Sequence, residues 1–121
     1  MKIIVDAFGG DNAPLEILKG CEMAACEYNI DIILVGDKDK IKDTAYKNNI
    51  SLKHMEIVDA KQVISMEDDA SAVIKTKKDS SMSIGLKLLK ESKGDAFVSA
   101  GNSGALVMGA TFIIKRIKGI K

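Results

Sequence analysis

Short apolar runs alternate with longer amphipathic stretches along this chain of 121 residues. The apolar runs predict four strands, at residues 3–5, 31–37, 54–60 and 96–98. The stretches between and after them predict four helical segments, at residues 11–28, 38–48, 79–94 and 103–118. Unbroken apolar strands that alternate with helices of about ten or more residues are typical of a parallel sheet covered on both faces. The pattern therefore predicts an α/β fold.

The first helix carries clear signals at its start. Asp11 or Asn12 is expected to cap it, and Pro14 suits its first turn. Apolar and small residues then recur at helical spacing and predict one buried face, at Ile17, Leu18, Cys21, Ala24, Ala25 and Tyr28.

The second half begins with an irregular stretch at residues 65–78, which we interpret as a loop or lid with a helical turn. A Ser or Asp within 79–81 is expected to cap the next helix, and Gly94 to end it. Its apolar stripe comprises Met82, Gly85, Leu86 and Leu89. Basic residues are expected near the end of the last helix, at Lys115, Arg116 and Lys118.

Composition and charge narrow the classes of function. Hydrophobic residues make up 46% of the chain and charged residues 29%, as in ordinary globular domains. Aromatic residues are 4% and Trp is absent, so we expect no nucleic-acid partner that relies on base stacking. Residues 1–60 carry 7 basic and 11 acidic side chains, whereas residues 61–121 carry 11 and 6. The second half thus favours an acidic partner or a phosphate, unless these charges are unpatterned surface.

The two cysteines, Cys21 and Cys26, fit no zinc or disulfide spacing. Five residues apart on a helix, they point to different sides, and we expect buried, unreactive thiols in a reducing cytoplasm. No signal-peptide pattern precedes the first strand, and no apolar run approaches the roughly 20 residues that span a bilayer. The pattern is that of a cytoplasmic protein.

Two strand-to-helix turns, at Asp6–Pro14 and Ser99–Ala105, are the most informative motifs. Turns that follow parallel strands lie at the carboxyl edge of the sheet, where ligands bind at a switch in strand order. A helix start offers unpaired N–H groups, and glycine lets an anion approach them closely. The turn at Ser99–Gly104 therefore predicts an anion site, with donors from Ser99, Asn102 and Ser103. The alternative is a tight turn that needs glycine only for packing.

Other motifs are weaker. Neither GxGxxG nor GxxxxGK[ST] occurs, which argues against dinucleotide and nucleoside-triphosphate loops. His54 has no partners for a catalytic triad, and no metal-ligand spacing exists, so we expect no metal and no cofactor. Asp11 suits helix capping better than catalysis, whereas the direction of Asp6 stays open. Lys75, Lys77 and Lys78 precede a Ser-capped helix and are either part of an anion pocket or solvated surface.

Several stretches together resemble one family. "VDAFGGDNAP", "ILVGD", "KKDSSM", "VSAGNSGAL" and "RIKGI" are similar, in order and spacing, to the amino-terminal part of the bacterial phosphate acyltransferases of phospholipid synthesis, the PlsX family. The resemblance covers the whole chain, which is expected to be a single α/β unit, residues 1–121, from a longer family domain. It implies a three-layer αβα sandwich with a mostly parallel sheet, similar to phosphate acetyltransferases and isocitrate or isopropylmalate dehydrogenases.

The resemblance also implies a reaction and partners. Family members move a fatty acyl group from acyl-acyl carrier protein to inorganic phosphate, giving acyl phosphate. A homodimer and peripheral membrane contact are expected of the full-length form, through the part that this chain lacks. Because phosphate is itself the nucleophile, no Ser or Cys nucleophile is needed.

The hypothesis assigns roles to particular residues. Asn102 and Lys78 are the expected catalytic pair. Phosphate and the thioester are expected to be held by turn and helix-start residues, namely Gly9, Gly10, Asn12, Ser80, Ser81, Ser99, Gly101, Ser103 and Gly104. Two rival hypotheses are a dinucleotide-binding domain, which the absent GxGxxG opposes, and a noncatalytic module that binds anions or carrier protein.

Overall fold

The computed structural model describes residues 1–115. Strands and helices alternate along the chain as β1 (Lys2–Asp6), α1 (Leu15–Tyr28), β2 (Asp31–Gly36), α2 (Lys38–Lys47), β3 (Met55–Asp59), α3 (Ser81–Lys90), β4 (Ala96–Val98) and α4 (Ser103–Gly109). A 3-10 turn at Ala70–Val73 precedes α3, and a π-helical turn at Ala110–Ile114 extends α4. The predicted order of elements is confirmed, including the helical turn within residues 65–78.

All described strand pairs are parallel, and the sheet order is β3-β2-β1-β4. In the register of the sheet, Val5 of β1 lies between Leu34 of β2 and Val98 of β4. The chain therefore builds outward from β1 in one direction through β2 and β3, and returns to the other side of β1 for β4.

The helices lie on both faces of the sheet. On one face, Val5 and Leu34 pack with Leu18 of α1 and Ile41 of α2. On the other face, the alternate positions Ile4, Ile33 and Val35 pack against Ile84, Leu88 and Leu89 of α3, together with Ala60. This alternation along the strands is what the two-fold side-chain period requires when both faces are buried. The protein is thus an α/β sandwich of three layers.

A further apolar cluster extends the α3 layer. Met82 and Leu86 of α3 are buried against Val73 of the 3-10 turn and Ala105 of α4. The predicted stripe on α3 is confirmed at Met82, Gly85 and Leu86, with Leu89 half-buried. This cluster anchors α4, and with it the turn that follows β4.

The predicted start of α1 is wrong. The helix begins at Leu15 with Pro14 as its N-cap residue, and no side chain caps it. Residues 11–14 instead form turns, in which the carbonyl of Asn12 accepts from the backbone N–H of Glu16 at 3.1 Å. Tyr28 is exposed rather than buried, because it is the last residue of α1, whose buried residues are Leu18 and Cys21.

The two cysteines differ in a way that the sequence did not predict. Cys21 is buried, and this burial raises the pKa of its thiol to about 11. Cys26 is exposed, so the expectation of two buried thiols is wrong for this residue. Five positions correspond to well over one turn of helix, and this places Cys26 away from the face of α1 that packs on the sheet.

Two further helix ends differ from prediction. The helix α3 ends at Lys90 rather than Gly94, and Gly94 has another role: a Cβ there would lie 2.6 Å from Cγ1 of Ile4. The last helical segment ends at Ile114, where Lys115 takes a φ of 70°. The predicted residues Arg116 and Lys118 lie outside the described residues.

Candidate functional site

The switch in strand order lies between β1 and β4. The connection from β1 runs to β2 on one side, whereas β4 pairs with β1 on the other. A crevice outside the carboxyl ends of two such strands is the usual ligand position in open α/β sheets. The turns that follow β1 and β4 are the two glycine turns that the sequence singles out, at residues 7–14 and 99–102.

Glycines bring these two turns into contact. A Cβ built on Gly9 would lie 2.8 Å from Oγ of Ser99 and 2.9 Å from the backbone N of Gly101. Gly10 has a φ of +98°, and a Cβ there would lie 3.3 Å from the carbonyl oxygen of Ala100. Gly9 therefore has no room for a side chain, and Gly10 has a backbone conformation that other residues rarely adopt.

A buried carboxylate lies beneath the contact. Asp6 is 3% exposed, and its two oxygens accept three hydrogen bonds. Its Oδ1 accepts from Oγ of Ser81 at 2.5 Å and from the backbone N of Phe8 at 3.1 Å, and its Oδ2 accepts from Oγ of Ser99 at 2.9 Å. The Ser99 oxygen in turn accepts from the backbone N of Gly101 at 3.1 Å. Asp6 thus connects β1, the start of α3 and the turn after β4.

The start of α3 is held by its serines. Ser80 is the N-cap residue, and its hydroxyl oxygen accepts from the backbone N of Ser83 at 3.1 Å. The backbone N of Ser81 donates to the carbonyl of Gln62 at 3.0 Å. Ser80 and Ser81 are at most 1% exposed, and the Ser81 hydroxyl is directed to Asp6. In this conformation both hydroxyls serve internal contacts.

Asn102 uses its whole side-chain amide within the protein. Its Oδ1 accepts from the backbone N of Ala105 at 3.1 Å, which caps α4. Its Nδ2 donates to the carbonyl oxygens of Ser65 and Asp68, each at 3.0 Å. Asn102 therefore ties the segment before the 3-10 turn to the start of α4.

The first two backbone N–H groups of α4, unlike the side chains described above, are not engaged in hydrogen bonds within the described residues. As the first two helical residues, Ser103 and Gly104 have no intrahelical acceptor for their N–H groups. Within residues 1–115 neither N–H donates to another protein atom. Both residues are exposed, and α4 continues through the π-helical turn to Ile114. The turn after β4 therefore presents two N–H donors at a helix start.

The segment between β3 and α3 carries an internal ion pair. Nζ of Lys77 donates to Oδ2 of Asp68 at 2.7 Å and to the carbonyl of Val63 at 2.9 Å. The hydrogen bond from Lys77 and a further one from the backbone N of Ser65 lower the pKa of Asp68. Lys77 thus holds this segment together instead of facing a ligand.

The same segment forms one wall of a cleft of about 250 Å³. The opposite wall comes from the turn after β1, at Phe8, Gly10 and Asp11, and the segment contributes residues 63–67. A larger hollow of about 490 Å³ lies at the other end of the sheet, between α1 and the residues before β3. That hollow lacks both glycine turns, and the Glu22 carboxylate within it accepts from the backbone N of Ser51. We therefore place the candidate site at the carboxyl edge.

Apart from Ser80, Asn102, Ser103 and Gly104, whose contacts are described above, the predicted site residues fall into two groups. Those in contact across the two turns or through Asp6 are Gly9, Gly10, Ser81, Ser99 and Gly101. Asn12 and Lys78 are exposed, and in the described part of the chain the Lys78 side chain forms no ion pair. Lys78 precedes the N-cap of α3 by two residues, so it remains on the same side of the fold as that helix start.

Sequence reasoning missed two connections at this edge. One is the pair of hydrogen bonds that Asp6 accepts from Ser81 and Ser99, which are 75 and 93 residues away in the chain. The other is the attachment of Asn102 to Ser65 and Asp68. The only signal in the sequence was the coincidence of Asp6 with the end of a strand.

Over residues 1–115, no group of three or more His, Cys, Asp or Glu side chains is placed to hold a metal ion. Over the same range, no helix has the length and apolar character needed to cross a membrane.

Comparison with known proteins gives a consistent result. The family described as "Fatty acid synthesis protein" matches residues 1–121. A phosphate acyltransferase of Acetivibrio thermocellus is 52% identical over 121 residues, covering 99% of this chain and 36% of that protein. A phosphate acyltransferase of Clostridioides difficile is 45% identical over 120 residues, covering 99% and 35%. The chain spans about a third of the length of these curated relatives. Since the family match extends from the first residue to the last, this chain belongs to the fatty acid synthesis protein family.

Proposed function

We propose that the protein containing this chain transfers a fatty acyl group from acyl-acyl carrier protein to inorganic phosphate. The product, acyl phosphate, would serve phospholipid synthesis. The proposal is supported by the relatives named phosphate acyltransferase and, above all, by two glycine turns that meet at the switch point. Beside these turns lie helix-start amides that have no acceptor within residues 1–115.

The chemistry needs positioning more than it needs a protein nucleophile. An oxygen of hydrogen phosphate attacks the thioester carbonyl carbon, the new C–O bond forms, and the C–S bond breaks. The proton of hydrogen phosphate ends on the departing thiolate, so the products are acyl phosphate and the free thiol. Holding the two reactants in attack geometry contributes about 7–11 kcal/mol to lowering the barrier. Each well-aimed oxyanion donor contributes about 3–4 kcal/mol.

The phosphate is assigned to the turn at Ser99–Gly104. The N–H groups of Ser103 and Gly104 have no acceptor within residues 1–115, and a helix start favours an anion. The Lys78 side chain, exposed and unpaired in the described part of the chain, is assigned as the positive charge that attracts phosphate. We assign the thioester to the cleft between the turn after β1 and residues 63–67, beside Gly9, Gly10 and Asn12.

Three residues that the sequence predicted as phosphate ligands have a supporting role in this proposal. The Ser80 and Ser81 hydroxyls and the Asn102 amide are engaged within the protein. We therefore assign them to shaping the phosphate site, through the start of α3 and the cap of α4, and not to direct contact with phosphate. In this proposal, backbone N–H groups contact the phosphate, and these side chains hold the backbone in place.

The test uses the protein expressed from its complete gene, with acyl-acyl carrier protein and ³²P-labelled inorganic phosphate. We expect labelled phosphate to enter a lipid-soluble product in step with thiol release, and neither to occur without phosphate and acyl donor together. Lys78→Gln is expected to raise the KM for phosphate several-fold. Lys90→Gln, at the other end of α3 and also exposed, is the matched control and should leave it unchanged.

A folded complete protein that releases no thiol in response to phosphate would overturn the proposal. Measurable binding of NAD by that protein would then favour a dinucleotide-binding module. Binding of phosphate or carrier protein without turnover would favour a noncatalytic one.

A further inference from the structure

Asp6 takes no part in the proposed chemistry, yet it is buried directly beneath the two glycine turns. Its side chain lies where β1 ends, and at 3% exposure it has almost no contact with solvent. A buried carboxylate without partners would be strongly destabilising, so its presence demands compensating contacts. Those contacts define what the residue does.

Three hydrogen-bond donors offset the cost of burying the Asp6 carboxylate, and two of them are hydroxyls. Oγ of Ser81 lies 2.5 Å from Oδ1, and Oγ of Ser99 lies 2.9 Å from Oδ2. An ionised carboxylate can only accept, and a serine hydroxyl has one proton. Both serine protons are therefore directed at Asp6 and away from the crevice.

The hydrogen bond from Ser99 to Asp6 determines how Ser99 contacts Gly101. Because the Ser99 hydroxyl donates its one proton to Asp6, its oxygen can only accept from other groups, and it accepts from the backbone N of Gly101 at 3.1 Å. The N–H of Gly101 is thus held inside the turn. The hydrogen bonds from Asp6 through Ser99 to Gly101 set the path of the backbone immediately before the first amides of α4, which have no acceptor within residues 1–115.

The glycine contact leaves this arrangement little freedom. A Cβ on Gly9 would lie 3.0 Å from Oδ2 of Asp6 as well as 2.8 Å from Oγ of Ser99. The backbone of the first turn therefore covers the Asp6–Ser99 hydrogen bond. This cover excludes Asp6 from direct contact with a substrate in the crevice.

We propose that Asp6 is a positioning residue of the phosphate site, acting through the Ser99 hydroxyl on the turn that leads into α4. This inference rests on the proposed function, because the site that Asp6 positions is the one assigned to phosphate. It also assigns Ser99 to the supporting structure, in place of direct contact with the anion.

The first test is Asp6→Asn in the protein expressed from its complete gene. The side chain keeps its shape, but one acceptor oxygen becomes an NH₂ donor, so one of the two serine contacts must reverse or break. We expect the KM for phosphate to rise about 10- to 100-fold, the range that loss of a hydrogen bond to a charged group produces. The KM for the acyl donor should stay the same. A merely structural lesion would lower the amount of active protein, and hence the apparent kcat, without moving either KM.

Variants of Ser99 test the hydrogen-bond connection from Asp6 to Gly101. Ser99→Ala removes the hydroxyl through which Asp6 is proposed to act, and Ser99→Thr restores one. We expect Ser99→Ala to raise the phosphate KM, Ser99→Thr to recover it, and the double variant Asp6→Asn/Ser99→Ala to be no worse than the more impaired single variant. If Asp6→Asn does not fold, the two Ser99 variants still test the inference. The matched control is Ser83→Ala, a buried serine of α3 whose hydroxyl has no partner among the described residues, and it should leave both KM values unchanged.

The outcomes separate the two proposals. A wild-type protein without phosphate-dependent transfer overturns the proposed function, and the inference with it. An active wild type whose phosphate KM is unchanged by Asp6→Asn and Ser99→Ala overturns the positioning role alone. So does full additivity of the two substitutions, since independent effects would show that Asp6 does not act through Ser99.

Discussion

Gly9 and Gly101 lie so close that a methyl group on Gly9 would fall 2.9 Å from the backbone nitrogen of Gly101. The two residues belong to different turns, one after β1 and one after β4, and are joined by no covalent or hydrogen bond of their own. What brings them together is the position of β4 beside β1 in the sheet. The contact therefore depends on the strand order and reports whether the two turns are correctly assembled.

The first prediction concerns Gly9→Ala. The added Cβ would meet Oγ of Ser99 at 2.8 Å and the Gly101 nitrogen at 2.9 Å, so the turns must separate. Overpacking of this kind costs about 1–3 kcal/mol. We expect the free energy of unfolding, measured by urea titration, to fall by that amount.

Gly20→Ala is the matched control for this substitution. Gly20 lies within α1, and apart from its chain neighbours and the backbone of its own helix no atom is within 4 Å of a Cβ built there. Alanine is favoured over glycine in a helix by about 1 kcal/mol, so this variant should be as stable as the parent or more so. Equal unfolding midpoints for the two variants would show that the turns are not in tight contact.

The second prediction concerns the attachment of residues 65–68 to α4. Asn102→Asp keeps an oxygen to cap the Ala105 N–H but loses both donors to Ser65 and Asp68, and it places a carboxylate against their carbonyl oxygens. We expect hydrogen exchange of the backbone amides in residues 65–69 to become about tenfold faster or more, since each lost bond is worth about 1 kcal/mol.

Asn102→Ala should have the same effect and also lose the helix cap, at a further cost of about 1 kcal/mol in the free energy of unfolding. Asn48→Ala removes a comparable side-chain bond, from Nδ2 to the carbonyl of Thr44 at the end of α2. It should leave exchange in residues 65–69 unchanged. Slow exchange there in both Asn102 variants would mean that other contacts hold the segment.

The sequence predicted the strands and turns around the candidate site better than the side-chain hydrogen bonds within it. Alternating apolar runs and glycine turns are local patterns, and they led to the parallel sheet and to the two turns at its carboxyl edge. Asn102 shows the limit of such reasoning. Its place at a helix start suggested a phosphate ligand, yet its amide is bound to carbonyls 34 and 37 residues away.

Asp6 shows the same limit for a strand residue. Alternation along a strand indicates which side chains share a face, but the last residue of a strand can turn toward the edge or the interior. Its direction is settled by Ser81 and Ser99, which the topology brings to it from distant parts of the chain. Contacts of this kind become predictable only once the strand order is known.

The third prediction distinguishes the two cysteines. Cys26 is exposed, whereas Cys21 is buried with its pKa raised to about 11. Because the thiolate is the reactive form, the buried thiol should be nearly inert at about pH 8. Of these two residues, we expect iodoacetamide to modify only Cys26 in the native protein and both after unfolding in urea, as measured by peptide mass mapping.

Cys26→Ser provides the control for this experiment. In the native variant, Cys21 should stay unlabelled for the time in which Cys26 of the parent is fully labelled, and it should be labelled once the variant is unfolded. Rapid labelling of Cys21 in the native variant would contradict the packing of α1 against the sheet.

The last prediction concerns pH and the ion pair between Lys77 and Asp68. The hydrogen bond from Lys77, followed by that from the backbone N of Ser65, lowers the pKa of Asp68 in the folded protein. The unfolded value is about 3.9. A lowered folded pKa means that the carboxylate stabilises the fold fully above the unfolded value, and that this contribution disappears as the pH falls through the folded one.

Lys77→Met removes the ammonium group, with its bonds to Asp68 and to the carbonyl of Val63, while keeping much of the apolar side chain. We expect the variant to be less stable than the parent at about pH 6, and the difference to shrink as the pH falls to about 2.5. Urea unfolding of both proteins across this pH range measures the difference in their free energies of unfolding. Lys90→Met, which replaces an exposed lysine with no ion pair in the described part of the chain, should show no such dependence. A stability difference between Lys77→Met and the parent that stays constant down to the lowest pH would assign the effect of Lys77 to its bond with Val63, and would remove Asp68 as its electrostatic partner.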